Sequence, residues 1–478
     1  MAGDTQPAAL SLETVAARRG GLLSPAGRRA LLLGLDLVIV LAAVAGGLGV
    51  WAMRAEVPFD ARFLRTHWEW FPILTLIWLV AAVLNDLYRP NLIGGTRDLL
   101  RRLLKAQSVL LFVYLIVYFV STPRSLPRGL VIYYAAIATP VLFAARAALS
   151  VVFARPRFRR RALVVGAGGA GHAAVQVIHD HLANDCVLVG LVDDDRDKQG
   201  LAIRGTRVLG DGAALPDLVR INEVDLLVVA ITRGISPHLF ANVLLCQQAG
   251  VGVVSLPALY ESTLDRTPVH HLPEQWFMEF EPPDVVTQVV KRAIDLGFAV
   301  VASVGFLMLL PFLAAAIYLE SPGPIFYRQQ RLGRNGRIFW VYKLRSMIPN
   351  AEKAGAQWAQ ENDPRITKVG RLLRKTRLDE LPQVWNLVRG EMSLIGPRPE
   401  RPEFITKLQE QIPYYRSRLS VRPGLTGWAQ VCYRYGNTVE DARIKLEYDL
   451  YYIKHQSIML DVSILFRTVA VVLKMGGT

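Results

Sequence analysis

The stretch Ala162-Leu-Val-Val-Gly-Ala-Gly-Gly-Ala-Gly171 runs from four apolar residues into the spacing Gly166-x-Gly168-x-x-Gly171. A helical pattern follows over 173–182, and a second apolar segment, 186–192, ends in the acidic residues 193–195. A strand, a glycine turn, a helix and a second strand that ends in an acid form the order of a dinucleotide-type βαβ unit. With further apolar segments near 225–231 and 252–256, the pattern predicts a Rossmann-like α/β domain over 160–270.

Gly166, Gly168 and Gly171 are the candidate nucleotide loop of this domain. A catalytic domain of this type also needs an acid–base pair, and the Tyr-x-x-x-Lys pair of sugar epimerases and dehydratases occurs nowhere in the chain. We therefore expect a structural or oligomerising role first and the binding of a regulatory dinucleotide second. A membrane-bound nucleotide-sugar oxidoreductase or dehydratase that uses this loop is the alternative function.

Four apolar stretches precede the domain, at roughly 30–53, 70–87, 106–121 and 129–153. Each approaches the about 20 residues that cross a bilayer, which predicts a four-helix transmembrane bundle over 29–154 after a cytosolic tail, 1–28. Cations follow the second and fourth stretches, and these are Arg89, Arg97, Arg101, Arg102 and Lys105, then Arg155, Arg157, Arg159, Arg160 and Arg161. The positive-inside rule places both ends of the bundle in the cytosol.

Asp36 and Arg146 are charged residues inside the predicted spans. Both lie in the cytosolic half of their spans, so they can pair with each other. Charges inside a membrane often mark function, but structural pairing or snorkelling is the interpretation we favour here.

The composition agrees with an integral membrane protein. The 478 residues are 52% hydrophobic, with a mean hydropathy of +0.28 and a net charge of +15. These values exclude a disordered chain and argue against a purely soluble enzyme. The three cysteines lie in unrelated segments, which fits a reducing cytosol and neither a disulfide framework nor a metal cluster.

A fifth apolar run, Leu296 to Leu319, is long enough to cross a bilayer, but its flanks are both basic. Lys291 and Arg292 precede the run, and six cations follow it between 328 and 345. Pro311 inside the run removes a backbone donor and breaks or kinks a helix. The charges and the proline together predict a re-entrant membrane helix over 286–320, with the break at Pro311, and an ordinary fifth span is the alternative.

The segment 321–478 holds the densest motifs. A basic amphipathic stretch over 363–377, with Val369, Leu372 and Leu373 on one side, leads into Leu378-Asp379-Glu380-Leu381-Pro382-Gln383. Pro382 suits the first turn of a helix, which places both acids near its N-terminus. Neighbouring carboxylates among cations fit a divalent metal and phosphoryl transfer, or one carboxylate as a nucleophile, whereas a helix cap with solvated acids is the simpler interpretation of the pair alone.

The whole set of motifs resembles the bacterial sugar transferase family, the monotopic phosphoglycosyl transferases. The resemblance begins near Val286 and runs to the C-terminus. Its motifs are Lys291-Arg292-x-x-Asp295, Ser321-Pro-Gly-Pro, Lys343-x-Arg345-Ser-Met, the Asp379-Glu380 dyad with Leu-Pro-Gln, and Gly396-Pro-Arg-Pro. The bundle and the Rossmann-like domain ahead of it resemble the large polyprenyl glycosylphosphotransferase branch. The helix break often reads Ser-Pro in relatives and reads Leu310-Pro311 here.

The resemblance implies an enzyme that transfers a sugar 1-phosphate from a nucleoside diphosphate sugar to polyprenyl phosphate and releases UMP, as the first step of exopolysaccharide assembly. It implies Asp379 as the nucleophile and Glu380 as its metal- and site-organising partner, with Mg²⁺ held by the dyad and the donor diphosphate. Candidate phosphate contacts are Lys343, Arg365, Arg377 and Arg398.

The same resemblance implies hexose donors such as UDP-glucose or UDP-galactose and undecaprenyl phosphate as the acceptor. The expected location is the bacterial cytoplasmic membrane, with a small, mainly α catalytic domain over 321–478 on the cytosolic face. Membrane lipids are further expected partners, nucleic acid is not, and a homodimer through the bundle and the middle domain is a weaker expectation.

Overall fold

The computed structural model describes residues 25–88, 96–120, 129–153, 159–279, 283–349, 351, 363–433, 436 and 438–473. The chain divides into two compact units, Met1–Leu259 and Tyr260–Thr478. The predicted tail up to residue 24 and the cations Arg89, Arg155 and Arg157 lie outside the described residues.

The helices of the described residues, in chain order, are α1 Pro25–Arg54, α2 Ala61–Thr66, α3 Trp70–Leu84, α4 Thr96–Val120, α5 Leu130–Phe153, α6 Gly169–His181, α7 Leu215–Ile221, α8 Pro237–Gln248, α9 Leu256–Leu264, α10 Val285–Glu320, α11 Lys368–Thr376, α12 Val384–Arg389, α13 Pro402–Gln411, α14 Trp428–Cys432, α15 Val439–Lys454 and α16 Ile458–Leu473. The strands are β1 Arg160–Val165, β2 Cys186–Val192, β3 Ala202–Ile203, β4 Thr206–Gly210, β5 Leu226–Val229, β6 Gly252–Ser255, β7 Phe326–Leu332, β8 Ile338–Leu344, β9 Ser393–Ile395 and β10 Gly424–Thr426.

Helices α1, α3, α4 and α5 contribute to one apolar core, in which Val40, Leu74, Leu103 and Tyr134 are buried. By length and composition, α1 from Gly27 onwards and α5 can cross a membrane, whereas α3 has only 15 residues. The structure therefore contains the four predicted helices, and two of them meet the length and composition of a span.

Asp36 and Arg146 form the pair that their positions in the sequence allow. Arg146 Nη2 lies 2.5 Å from Asp36 Oδ2, and both side chains are buried. Tyr88 Oη donates to the same carboxylate at 2.8 Å, and Arg146 Nη1 donates to the carbonyl of Leu87 at 2.7 Å. These contacts satisfy both charges within the helix cluster, as the structural interpretation requires.

The predicted Rossmann-like domain is confirmed as a six-stranded sheet of the described residues, in the order β3-β4-β2-β1-β5-β6. All neighbouring strands are parallel except β3 and β4. Gly166 has a φ of +107°, and a Cβ there would lie 2.6 Å from the carbonyl oxygen of Ala230. A Cβ on Gly171 would lie 2.1 Å from the carbonyl oxygen of Gly166, so both glycines are required by close packing of the turn.

The predicted interruption at Pro311 is not observed in the secondary structure. Helix α10 runs without a break for 36 residues and contains Pro311 in its interior. Proline removes a single backbone donor, and the hydrogen bonds on either side preserve the helix. Little of α10 is covered, since 6% of its most apolar window is buried.

Both ends of α10 contact the same short part of the second unit. Near the start of the helix, Asp295 accepts hydrogen bonds from Ser393 Oγ at 3.0 Å and from the Leu394 N–H at 2.7 Å. At its end, Glu320 accepts from the N–H groups of Lys368 and Val369 at 2.6 and 2.7 Å, and so caps α11. The helix thus begins and ends against one small domain.

The rest of the second unit packs around a core shared by β8, β9 and helices α12 to α16, in which Leu387, Trp428 and Leu446 are buried. Strands β7 and β8 form an antiparallel hairpin, and β9 and β10 form a short parallel pair. The sheets are small, which agrees with the predicted mainly α domain. The preceding segment is also attached to this core, because Trp428 Nε1 donates to the carbonyl of Asp265 at 2.9 Å.

Candidate active site

The Asp379-Glu380 dyad lies on a 3₁₀ helix, Leu378–Gln383, that runs directly into α12. The α-helix expected at Pro382 therefore starts two residues after it, and the preceding turn is 3₁₀. Arg377 ends α11 in the left-handed conformation, with a φ of 60°, and turns the chain so that both acids become buried.

Glu380 is surrounded by three of the four predicted phosphate contacts. Its Oε1 accepts from Lys343 Nζ at 2.9 Å and from Arg398 Nη2 at 2.7 Å. Arg377 Nη1 lies 3.8 Å from Oε2. The strand β8, the turn after α11 and the loop after β9 each supply one of these cations, so residues distant in sequence meet at one carboxylate.

These charges decide the ionisation of Glu380. Burial would raise the pKa of Glu380, but the charges of Arg398, Lys343 and Arg377 together hold that pKa well below its usual range. Burial lowers the pKa of Lys343, whereas the negative charge of the neighbouring Glu380 raises it. Glu380 is therefore an anion throughout the neutral range.

The environment of Asp379 raises its pKa, in contrast to that of Glu380. The residue is 5% exposed, and its Oδ1 is buried without a hydrogen-bond partner among the described residues. Burial raises the pKa of Asp379; Lys343 opposes this effect, and the neighbouring Glu380 adds to it. Two adjacent carboxylates thus differ: one is neutralised by cations, and the other is left with a more basic, unsatisfied oxygen, as a nucleophile requires.

The fourth predicted phosphate contact, Arg365, is held elsewhere. Its Nε and Nη2 donate to the two oxygens of Asp363 at 2.9 and 2.6 Å, and its Nη1 donates to the carbonyl of Ala351 at 3.0 Å. Since Asp363 is buried, this fork is part of the loop before α11.

A buried ion pair that the motifs do not indicate supports the loop of Arg398. Arg418 Nη2 lies 2.7 Å from Asp449 Oδ2 and donates to the carbonyl of Arg398 at 3.1 Å. Burial raises the pKa of Asp449 to about 6, although the Arg418 charge lowers it. The acidic and aromatic residues of the segment 447–454 predict a packing helix, and nothing in that pattern points to Arg418 as the partner of Asp449.

We expect Arg418→Met to weaken donor binding and turnover, because the carbonyl of Arg398 loses its donor and Arg398 loses its position on Glu380. Since Arg398 lowers the pKa of Glu380, Glu380 should become protonated at a higher pH in this variant, and activity should fall at a higher pH on the acid side than in the wild type. Breaking a buried pair costs about 3–5 kcal/mol, so unfolding is measured in parallel. Arg418→Lys should restore folding and part of the rate, whereas a pH profile that does not move would limit Arg418 to a structural role.

Of the two carboxylates of the dyad, only Asp379 has an oxygen that is available to a metal ion. Within the described ranges, no group of three or more His, Cys, Asp and Glu side chains could hold a metal ion. Asp379 Oδ1 is an unsatisfied oxygen, whereas Glu380 Oε1 already accepts from two cations. Mg²⁺ commonly takes one or two carboxylates and the phosphates of its substrate, so Asp379 fits this ion as a single ligand.

The glycine loop of the sheet domain is partly closed by the chain itself. Asp193, the acid at the end of β2, accepts from the Ala167 N–H at 2.6 Å and from the Asp195 N–H at 2.9 Å. Lys198 Nζ lies 3.5 Å from the same carboxylate. In dinucleotide-binding domains such an acid holds the ribose, whereas here it holds the loop.

Fold and site together define a protein with helices long and apolar enough to cross a membrane and with a buried carboxylate dyad among cations. The model of the family described as "Bacterial sugar transferase" matches residues 286–475, and that described as "CoA-binding domain" matches residues 83–255. A UDP-galactose-lipid carrier transferase of Erwinia amylovora is 30% identical over 341 residues, which cover 67% of this chain and 69% of that protein. The chain belongs to the bacterial sugar transferase family.

Two further relatives differ in the sugar that their names state. A UDP-glucose:undecaprenyl-phosphate glucose-1-phosphate transferase of Xanthomonas campestris pv. campestris is 32% identical over 66% of this chain and 66% of its own length. A UDP-N-acetylgalactosamine-undecaprenyl-phosphate N-acetylgalactosaminephosphotransferase of Aeromonas hydrophila is 43% identical over 48% of this chain. That match spans 54% of the Aeromonas protein.

Proposed function

We propose that this protein transfers a hexose 1-phosphate from a UDP-hexose to undecaprenyl phosphate and so starts a polysaccharide on its lipid carrier. The observation that carries the proposal is the unsatisfied Oδ1 of Asp379 beside a glutamate held by Lys343 and Arg398. The relatives named for glucose, galactose and N-acetylgalactosamine support a hexose donor.

In the first step, an oxygen of Asp379 attacks the phosphorus that bears the sugar. The bond from this phosphorus to the bridging oxygen breaks, and UMP leaves with the electron pair. Arg377 and Arg398 lie beside the dyad, so they can stabilise the charge that develops on the phosphoryl oxygens. The product of this step is an acyl phosphate of Asp379 that carries the sugar.

In the second step, a phosphate oxygen of the lipid acceptor attacks the same phosphorus. The bond to Asp379 breaks, the carboxylate is regenerated, and the lipid diphosphate sugar leaves. Glu380 remains ionised in both steps because its three cations hold it so, and it keeps these cations in place.

The proposal includes Mg²⁺, with Asp379 and the donor diphosphate as its ligands. A divalent ion supplies charge neutralisation of the diphosphate and a better leaving group. Lys343 and Arg398 keep Glu380 from joining this ligand set directly, which gives Glu380 the role of organising the cations.

We also propose that α10 enters and leaves the same face of the membrane, with the catalytic domain in the cytosol of the bacterial cell. The support is geometric: a straight helix from Asp295 to Glu320 would be about 38 Å long, yet both residues bind the segment 368–394 of one domain. A domain on one side of a bilayer cannot reach both ends of a straight crossing helix.

Cysteines introduced at the exposed Gln288 and Gln330, one at a time, test this topology. We expect a membrane-impermeant thiol reagent to label neither variant in intact spheroplasts and to label both in inverted vesicles. Labelling of the two positions from opposite sides would establish an ordinary span.

The reaction is tested with the purified protein, Mg²⁺, undecaprenyl phosphate and, separately, UDP-glucose, UDP-galactose and UDP-N-acetylgalactosamine. We expect UMP and a lipid diphosphate sugar in equal amounts with at least one donor. Oxidised or dehydrated nucleotide sugar without a lipid product, in the presence of NAD, would instead favour an oxidoreductase of the Gly166 loop.

A further inference from the structure

One buried guanidinium at the end of the membrane helix is not satisfied by the described residues. Arg345 directly follows β8 and is 8% exposed. Its Nη2 donates to the carbonyl of Ser321, but Nε and Nη1 are buried without a hydrogen-bond partner among the described residues. A buried cation with free donors is costly, so the structure indicates a place that an anion would complete.

Arg345 is adjacent in sequence to residues that contact the site. Lys343, two residues earlier and on the same face of the strand, donates to Glu380. The hairpin pairing continues to Arg345, whose N–H donates to the carbonyl of Ile325 at 2.8 Å. Ser346 Oγ accepts from Arg374 Nε at 3.0 Å, and the charge of Arg374 acts on Asp379. In sequence, Arg345 therefore lies between Lys343, which binds Glu380, and Ser346, which binds Arg374.

The same guanidinium lies where the chain leaves the membrane. Ser321 is the first residue after α10, and Gly323 packs against Arg345 so closely that a Cβ there would lie 2.4 Å from Nη1. Beneath this turn, Phe306 and Ile317 of α10 form an apolar cluster with Leu344 and Leu373. In the same part of α10, Phe312 and Leu319 are exposed, as the side chains of a helix in contact with lipid tails would be.

We propose that Arg345 binds the phosphate of the polyprenyl phosphate acceptor, in a lipid-phosphate site separate from the cations that surround Glu380. The inference rests on the proposed function. Nε and Nη1 together offer three N–H donors to a phosphomonoester. A soluble donor meets Lys343, Arg377 and Arg398 at the dyad, whereas a phosphate at the end of an apolar tail meets the guanidinium at the end of α10. Gly323 covers Nη1 in this structure, so binding of the phosphate requires the turn at 321–323 to move aside.

The test compares Arg345→Gln and Arg345→Lys with Arg328→Gln, which removes an exposed cation of the same hairpin, stacked on Trp340. The proteins are placed in phosphatidylcholine nanodiscs, and the concentrations of undecaprenyl phosphate and donor are varied separately. We expect R345Q to raise the KM for undecaprenyl phosphate at least about tenfold, the scale of a charge-assisted hydrogen bond. Formation of the phosphosugar adduct without acceptor should be unchanged, and R328Q should match the wild type.

An unchanged acceptor KM, or a loss of adduct formation equal to the loss of transfer, would overturn the inference. R345K decides if R345Q does not fold: a raised acceptor KM supports the site, and an unchanged one removes it. Nanodiscs of phosphatidylglycerol distinguish the source of the phosphate, since a defect that appears only there and does not respond to the acceptor would assign Arg345 to bulk lipid. Wild-type protein that releases no UMP contradicts the proposed function itself, whereas normal release together with normal R345Q kinetics contradicts this inference alone.

Discussion

Asp379→Asn is expected to abolish sugar phosphate transfer, with a loss of about 10⁴-fold or more. An amide has no charged oxygen to attack phosphorus, and the lone pairs of its carbonyl are weak nucleophiles. The variant should also carry no covalent sugar phosphate. The buried position tolerates the change, because Oδ1 has no hydrogen-bond partner among the described residues to lose.

The measurement is UMP release with saturating donor and acceptor, with unfolding followed in parallel. Asp217→Asn, an exposed aspartate of α7, is the matched control and should retain the wild-type rate. Full activity of D379N would exclude Asp379 as the nucleophile. Loss of transfer with a persistent adduct would move the nucleophile to another residue.

Glu380→Gln is expected to lower kcat by about 10²-fold or more and to raise the KM for the donor. The change leaves the ammonium of Lys343 and the guanidinium of Arg398 without their shared carboxylate. These cations then no longer hold fixed positions around the phosphates. The cost in rate is smaller than for D379N because the nucleophile remains.

The Glu380→Gln variant should also shift the pH dependence of the rate in a definite direction. The negative charge of Glu380 raises the pKa of Asp379, so its removal lowers that pKa. Asp379 then remains ionised at lower pH, and the acid limb of kcat/KM should move to lower pH. Glu410→Gln, an exposed glutamate of α13, is the control. A shift to higher pH, or an unchanged rate, would contradict the role of Glu380 as organiser of the cations.

The sheet domain could be predicted well because its signals are local. The strand–glycine–helix order at 162–192 specifies β1, α6 and β2 through apolar periodicity and through turns that only glycine fits, at Gly166 and Gly171. The pair Asp36–Arg146 was predictable because two lone charges in apolar helices have few other partners.

The site could be predicted only in part. Three cations meet at Glu380 as the motifs indicate, but Arg365 binds Asp363, two residues before it, because a buried carboxylate nearby outweighs a more distant phosphate site. On α11, Val369 and Leu373 face the apolar cluster as predicted, whereas Leu372 is exposed. The Arg418–Asp449 pair joins residues 31 apart that burial alone brings together, which no local pattern reveals.

The most direct test of the covalent account is the mass of the intact wild-type protein after incubation with Mg²⁺ and a UDP-hexose that it accepts, without lipid acceptor. We predict a gain of one hexose phosphate on the peptide that contains Asp379, one UMP released for each protein, and loss of the adduct when undecaprenyl phosphate is added. UMP release that depends strictly on acceptor, with no adduct at any time, would contradict the account and establish direct transfer from donor to lipid.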